Sequence, residues 1–368
     1  HPSGFITPSV PFAERRIISM KALRLVAAGT AELMDMPIPE IGDGDILIRV
    51  KAAGICGGDV HFYKGEMLPP FYPMVFGHEF AGVIERVGPR VTQWSVGDRV
   101  VSENTGYACG KCACCIRGEF VLCRQRETIG CSVDGGFAEY VKIPEQILNL
   151  HPNCLFPIPE NMSFAEATVL EPTSNAYKSV VQESGCRPGE TIAIAGPGAL
   201  GLLGVQAARI LGAAKIIVLG TERSRQMREP LARQFGATHW LSTDADGYVE
   251  VAQEIAGTDG VAAFIDYVGA PKLLQAAMEI VRNGGTIVRV GRNVEPVQFS
   301  LQPLTDRSIR LLGHMGYNTE SWRACFALHQ AGLLDLKSMI SAVWPLREYR
   351  QAFQSIQDKK SVKVILEP

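Results

Sequence analysis

Thr191-Ile-Ala-Ile-Ala-Gly196-Pro-Gly198-Ala-Leu200-Gly201 decides the fold of this chain. An apolar run rich in isoleucine and alanine reads as a buried strand. The G-x-G-x-x-G that follows opens a helical stretch, Val205-Gln-Ala-Ala-Arg-Ile-Leu-Gly-Ala213, and a second apolar run, Lys215-Ile-Ile-Val-Leu219, comes next. Strand, glycine turn, helix and strand in that order are the context in which the motif signifies a dinucleotide site rather than an ordinary glycine-rich turn. The three glycines serve different ends. One makes the tight turn, one lets the backbone approach a pyrophosphate, and one lets helix and strand pack closely. The free N–H groups at the helix start then face the phosphates.

Downstream, His239–Ser242, Ala262–Val268 and Thr286–Gly291 continue the pattern of buried strands between helical stretches. This alternation predicts βαβ units on a parallel sheet. Upstream the character differs. KALRLVA (21–27), DILIRVKAAGIC (45–56), FAGVIERVG (80–88) and GDRVVS (97–102) are short strand-like runs broken by Gly and Pro. They predict an antiparallel, barrel-like unit. After about residue 305 the pattern is mixed and ends in SVKVILEP, a strand-like tail suited to completing the first unit. The expected division is 20–172 completed by 305–368 for one domain and 173–304 for the other, about the number that 368 residues suggest. Residues 1–19 have no apolar stretch of the signal-peptide kind and read as a loose extension or an added remnant.

The composition, 46% hydrophobic with a formal net charge of −2, is that of an ordinary globular enzyme. No basic block points to nucleic acid, and no apolar run is long enough for a membrane span. Ten cysteines in 368 residues are too few for a disulfide scaffold, so thiols in a reducing cytoplasm are expected.

Four of those cysteines, Cys109, Cys112, Cys115 and Cys123, lie in the 15-residue stretch CGKCACCIRGEFVLC with C-x2-C-x2-C-x7-C spacing. Four thiolates so close in sequence can wrap one tetrahedral Zn²⁺ and leave no open position, so this metal is read as structural and the stretch as a loop around it. Cys114 is taken as a bystander. A second set of metal-competent residues lies in Gly54-Ile-Cys56-Gly-Gly58-Asp59-Val-His61, Gly77-His78-Glu79 and Leu170-Glu171-Pro172. Catalytic zinc takes about three protein ligands and an open place. Taken singly, each of these residues is more often an ordinary buried one.

The acid usually found at the end of the second nucleotide strand, where it grips the ribose 2′-hydroxyl, is missing. Gly220 stands there, followed by Thr221, Glu222, Arg223, Ser224 and Arg225. Arg223 and Arg225 suit a 2′-phosphate and Glu222 suits a 2′-hydroxyl, so the residues leave NAD and NADP open.

Together, GICGGDVH, GHEFAGVIERVG, GDRVV, the cysteine loop, LEP, GPGALG and the strands IDYVGAP and IVRVGR resemble the zinc-dependent medium-chain dehydrogenase/reductase family, in its sorbitol, polyol and threonine dehydrogenase branch. The resemblance runs from Met20 to Pro368. It implies a GroES-like β-barrel catalytic domain and a Rossmann domain. It implies two zinc ions per chain, a catalytic one on Cys56, His78, Glu79 and Glu171 (the carboxylates directly or by exchange with water) and the structural one. Asp59 would orient the site through His78, and His61 is a relay candidate alongside a purely structural reading. Gly196, Gly198, Leu200, Gly201, Gly220, Thr221, Glu222, Arg223, Val268 and Val290 would line the cofactor, which the resemblance inclines toward NAD. The reaction implied is hydride transfer between NAD(P) and a secondary alcohol on a polyol, sugar derivative or hydroxy-amino acid, in a homodimer or homotetramer. Two positions depart from the family pattern: Gly58 carries no relay hydroxyl, and Gly316 stands where the branch often has an arginine. Phe62, Phe71 and His314 are pocket candidates. The rival readings are a zinc-free quinone or enoyl reductase of the same superfamily and a non-catalytic NAD(P)-binding zinc protein.

Overall fold

The computed structural model of the protein describes residues 19–368. The extension lies outside the described residues except for Ser19, which opens the first strand.

Two sheet systems divide the chain. The first is antiparallel for the most part. A seven-stranded sheet runs in the order Leu155–Pro157, Arg99–Ser102, Glu79–Val87, Ile46–Gly54, Lys363–Glu367 and Ile340–Pro345, with Tyr140–Ile143 also paired to Ile46–Gly54. A three-stranded sheet of Thr30–Pro37, Ser19–Ala27 and Met74–Val75 packs with it. These strands are short because Gly and Pro recur between them, and the sheets curl around one apolar core that includes Phe76, Phe80, Phe137 and Phe353. Lys363–Glu367 pairs with the far earlier strand Ile46–Gly54, through Ile365 opposite Gly54.

The second system is a six-stranded, fully parallel sheet in the order His239–Ser242, Lys215–Gly220, Thr191–Ala195, Val261–Asp266, Val281–Arg289 and Arg310–Gly313. Its central strands are apolar without alternation, and Val261–Asp266 is buried at every position, because helices cover both faces. The helices that do so include Ala199–Leu211 and Pro271–Ile280.

Two expectations need correction. The sixth strand, Arg310–Gly313, lies beyond residue 304, so the parallel unit runs on to at least Gly313. All four of its residues are exposed, and an edge strand without a buried run gives little signal in sequence. The cysteine stretch is also not all loop. Ala113–Ile116 forms one helical turn and Phe120–Leu122 a 3₁₀ turn. Cys112 caps the first of these, its Sγ accepting from the Cys115 N–H at 3.5 Å.

The units are joined by side chains as well as by the chain. One apolar core takes in Val101 and Phe156 from the first sheet system and Ile192 and Val218 from the second, and Phe156 there stacks on Trp322 of helix Thr319–Gln330 with ring centroids 5.1 Å apart.

Candidate active site

Cys56 leaves the strand Ile46–Gly54 and caps the short helix Gly57–Tyr63. Its backbone N–H donates to Asp59 Oδ2 at 2.8 Å, a capping contact that fixes where the thiol points. His78 and Glu79 arrive on the neighbouring strand, whose first residue is Glu79, opposite Gly54 in register. A Cβ on Gly54 would stand 2.4 Å from Glu79 Oε2, so the glycine leaves room for that carboxylate. Gly77 has a φ of +92° and its missing Cβ leaves room for the Phe137 ring, so the backbone turns sharply just before His78. The pairing brings one ligand atom each from Cys56, His78 and Glu79 within 4.8 Å of one another.

The chemistry of this trio fits a cation. Glu79 is buried and its Oε1 has no hydrogen-bond partner. A buried, unpartnered carboxylate oxygen beside a thiol and an imidazole is costly unless a cation completes it. The other oxygen, Oε2, accepts from Lys363 Nζ. Burial works against the charge on Lys363, yet Glu79 and Cys56 outweigh it and hold the ammonium above its ordinary range. Burial pushes the Cys56 thiol up, with His78 pulling the other way. Burial also opposes protonation of His78, but Cys131, Asp59 and Cys56 around it prevail and raise its pKa. His78 Nδ1 lies 3.6 Å from Asp59 Oδ1 and 3.5 Å from Cys131 Sγ.

Glu171 is not part of the trio. It lies in the first turn of helix Leu170–Tyr177, is buried, and accepts from Asn104 Nδ2 at 3.4 Å. Burial raises its pKa, and the charges of His78, Glu79 and Lys363 all act on it, so it lies close to the trio. Asn104 in turn accepts from Arg126 Nη2 at 2.7 Å and from the Tyr317 hydroxyl at 2.7 Å. His61, in contrast, is half exposed and pairs with Glu66 at 2.6 Å. Phe62 is buried in the core, Phe71 is exposed, and His314 bonds Glu183 at 2.6 Å.

The residues that sequence reasoning missed are Lys363, Asn104, Arg126 and Cys131. Only Lys363 had a visible signal, a lysine inside the apolar run Val362–Leu366.

The four loop cysteines form the second cluster, again with ligand atoms within 4.8 Å of one another. All are free thiols. The sulfurs of Cys112 and Cys109 stand 3.5 and 3.9 Å from that of Cys115, far from the disulfide bond length of about 2.05 Å. Backbone N–H groups of Lys111 and Cys112 turn toward Cys109 and bring its thiol down to about 6. Such donors favour thiolate, the form that binds metal.

At the nucleotide end, the glycine turn sits between strand Thr191–Ala195 and helix Ala199–Leu211. Gly196 has φ +89°, and a Cβ on it would meet Val268 Cγ2 at 2.4 Å. A Cβ on Gly201 would stand 2.1 Å from the Gly196 carbonyl oxygen. These two glycines serve the turn and the close packing. Gly198 faces open space, with nothing within 4 Å of its absent Cβ, which leaves the helix N-terminus bare for a pyrophosphate. Leu200 is half-buried behind it, and Val268 and Val290 follow the ends of the next two parallel strands. Gly220 ends its strand, Thr221 caps helix Glu222–Phe235, and Glu222 and Arg223 are exposed. The missing acid at 220 has a steric cause: a Cβ there would lie 2.5 Å from the Trp240 ring.

Comparison with known proteins agrees with this arrangement. The profile of the alcohol dehydrogenase GroES-like domain matches residues 42–153, and that of the zinc-binding dehydrogenases matches residues 199–331. The chain is 38% identical over 352 residues to the uncharacterized zinc-type alcohol dehydrogenase-like protein YdjL of Escherichia coli K12, covering 94% of this chain and 98% of that one. It is 32% identical to D-arabitol-phosphate dehydrogenase of Enterococcus avium, covering 95% and 97% of the two chains. Among solved structures, a zinc-binding dehydrogenase of Sinorhizobium meliloti 1021 bound to NADP superposes with a TM-score of 0.85 at 32% identity, covering 95% of this chain and 99% of that one. Among the described residues, no helix is long and apolar enough to cross a membrane. The chain therefore belongs to the zinc-dependent medium-chain dehydrogenase/reductase family, in its polyol and threonine dehydrogenase branch, and is an NAD(P)-dependent oxidoreductase of CH–OH donors.

Proposed function

We propose that Cys56, His78 and Glu79 hold a catalytic zinc with Glu171 standing by, that Cys109, Cys112, Cys115 and Cys123 hold a structural one, and that the chain oxidises a secondary alcohol of a polyol, sugar derivative or hydroxy-amino acid with NAD. The observation that carries this is the buried Glu79 Oε1, left without a partner beside a thiol and an imidazole. Bound there, zinc would supply Lewis-acid stabilisation of the reacting oxygen, and a bound nicotinamide would supply the hydride acceptor.

The protein's own groups do the rest. Asp59 fixes the Cys56 backbone and backs His78, which sets ligand direction. Lys363 compensates one oxygen of Glu79 and leaves the other free. Beside Cys56, the place where a side chain on Gly58 would lie is open, with nothing within 4 Å. His61 stands three residues on, on the same face of the helix. The alcohol proton leaves through that space toward His61 and its partner Glu66.

The breadth of substrate rests on relatives named for threonine, sorbitol and arabitol phosphate. A homo-oligomer is supported by the edge strand Arg310–Gly313, whose Leu311 and Leu312 are exposed on an unpaired sheet edge. A reducing, cytoplasmic setting agrees with the free cysteines.

The test joins metal analysis to a panel of polyols, polyol phosphates, sugar acids and L-threonine with NAD and NADP in parallel. Two zinc ions per chain and NAD-dependent turnover are expected. Cys56→Ala should lose one zinc and all turnover while staying folded. Cys112→Ala should lose the other zinc along with stability or assembly. If the two variants behave alike, the division between catalytic and structural metal is wrong.

A further inference from the structure

We infer that Asp244, rather than any residue at the end of the second nucleotide strand Lys215–Gly220, reads the cofactor's adenosine ribose and makes the chain select the 2′-hydroxyl of NAD(H) over the 2′-phosphate of NADP(H). The inference rests on the NAD(P)-dehydrogenase reading and names the residue that sets cofactor choice within it.

In a dinucleotide fold the ribose 2′ position falls at the end of the second strand, next to the glycine turn. Here that place is Gly220, and the Trp240 ring and Pro197 Cγ stand 2.5 and 3.0 Å from where its Cβ would be. No acid can grow from the strand itself. The neighbouring strand His239–Ser242 supplies one. Its continuation is tied down by the Thr243 N–H, which donates to the Gly220 carbonyl at 2.7 Å. That contact folds the next residue over the end of the strand, and Asp244 Oδ2 accepts from the Glu222 N–H at 2.8 Å. Glu222 is the first residue of a 14-residue helix whose cap, Thr221, offers no side-chain cap bond. The carboxylate therefore occupies the helix-start N–H that would otherwise favour a phosphate.

The acids around it act in the same sense. Glu222 and Asp246 add negative charge on either side and are exposed. Of the two arginines that suit a 2′-phosphate, one is diverted. Arg225 is engaged by Glu229 at 2.7 Å and Glu222 at 3.6 Å. Arg223 is exposed and forms no ion pair among the described residues, so it is the opposing charge that Asp244 and Glu222 must outweigh. A ribose hydroxyl can donate to a carboxylate at this place. A 2′-phosphate, carrying about −1.5 to −2 charges, meets it as a like charge.

The test is equilibrium binding of NADH and NADPH to the cofactor-free, zinc-loaded enzyme, followed by calorimetry and so independent of turnover. The wild type should bind NADH about tenfold or more tightly than NADPH, the scale of a like-charge penalty at a binding rim. Asp244→Asn keeps the acceptor for the Glu222 N–H and removes the charge. It should cut the preference about fivefold or more, chiefly by tightening NADPH. Asp246→Asn, the control for general field effects, should change the ratio much less than Asp244→Asn does. An unchanged ratio in Asp244→Asn, an equal change in Asp246→Asn, or a wild type that binds NADPH as tightly as NADH overturns the inference while leaving a dehydrogenase. If neither nucleotide binds the wild type, the dehydrogenase reading fails with it.

Discussion

Replacing Lys363 by methionine removes the only cation that touches Glu79 among the described residues while nearly preserving side-chain volume. Both side chains are almost wholly buried, at 2% and 0% exposure. Lys363 also donates to the Ile55 carbonyl at 3.2 Å, so its loss frees a buried acceptor as well as a carboxylate. Two unit charges 4 Å apart at an effective dielectric near 20 attract by about 4 kcal/mol. Removing one partner of a buried pair costs about 3–5 kcal/mol because the other is left uncompensated. The metal changes this figure. With zinc on Glu79 the stranded carboxylate regains a cation, so the loss should be smaller in loaded enzyme than in enzyme stripped by a chelator. Urea unfolding of wild type, Lys363→Met, Glu79→Gln and the double variant, each loaded and stripped, completes the cycle. The expected coupling in stripped enzyme is about 2 kcal/mol or more, with the double variant more stable than Lys363→Met alone. A coupling under about 0.5 kcal/mol, or an equal loss in loaded and stripped enzyme, would refute the idea that Lys363 and zinc share one carboxylate.

Gly220→Ala should destabilise the nucleotide unit by about 1–3 kcal/mol, the usual range for overpacking, because the new methyl meets the Trp240 ring at 2.5 Å. Thermal unfolding in a Trp240→Leu background should show most of that loss relieved, and an equal loss in both backgrounds would exclude the clash. Burial pushes Glu183 up, but its bond to His314 and the charges of His314 and Lys178 outweigh that and hold it below the ordinary 4.5. A carboxylate depressed on folding adds stability above its unfolded value, and this is lost as pH falls through the folded one. The melting-temperature gap between wild type and Glu183→Gln should therefore be widest at neutral pH and close below the ordinary carboxylate range. A gap constant with pH counts against the pairing.

The parallel sheet was legible because its strands are apolar on both faces and its turn carries three glycines with distinct duties. The sixth strand was not, since Arg310–Gly313 is exposed throughout and resembles loop sequence. Cys56, His78 and Glu79 could be picked out as metal-competent residues, because their types are few and their flanking glycines mark sharp turns. The ion partner of Glu79 could not be, because it depends on a pairing between strands far apart in sequence. Asp244 was hidden for a similar reason. It reaches the end of one strand from the loop after another, and the ring that keeps Gly220 bare lies on that second strand.

The split of the catalytic sheet around the nucleotide unit has a consequence for synthesis. All six strands of the parallel sheet lie between Thr191 and Gly313, so that unit holds its whole sheet once this stretch has left the ribosome. The catalytic sheet must wait for a strand whose Lys363 lies 308 residues after its partner Ile55. Until then the Ala53–Gly54 end of strand Ile46–Gly54 is unpaired on one side, beside a carboxylate with no ammonium against it. The nascent chain thus carries a finished nucleotide fold next to an unclosed barrel, and long-range closure of this kind is slow and exposed to misassembly. Chaperone demand during translation should therefore concentrate on the catalytic barrel and last until the final strand is delivered.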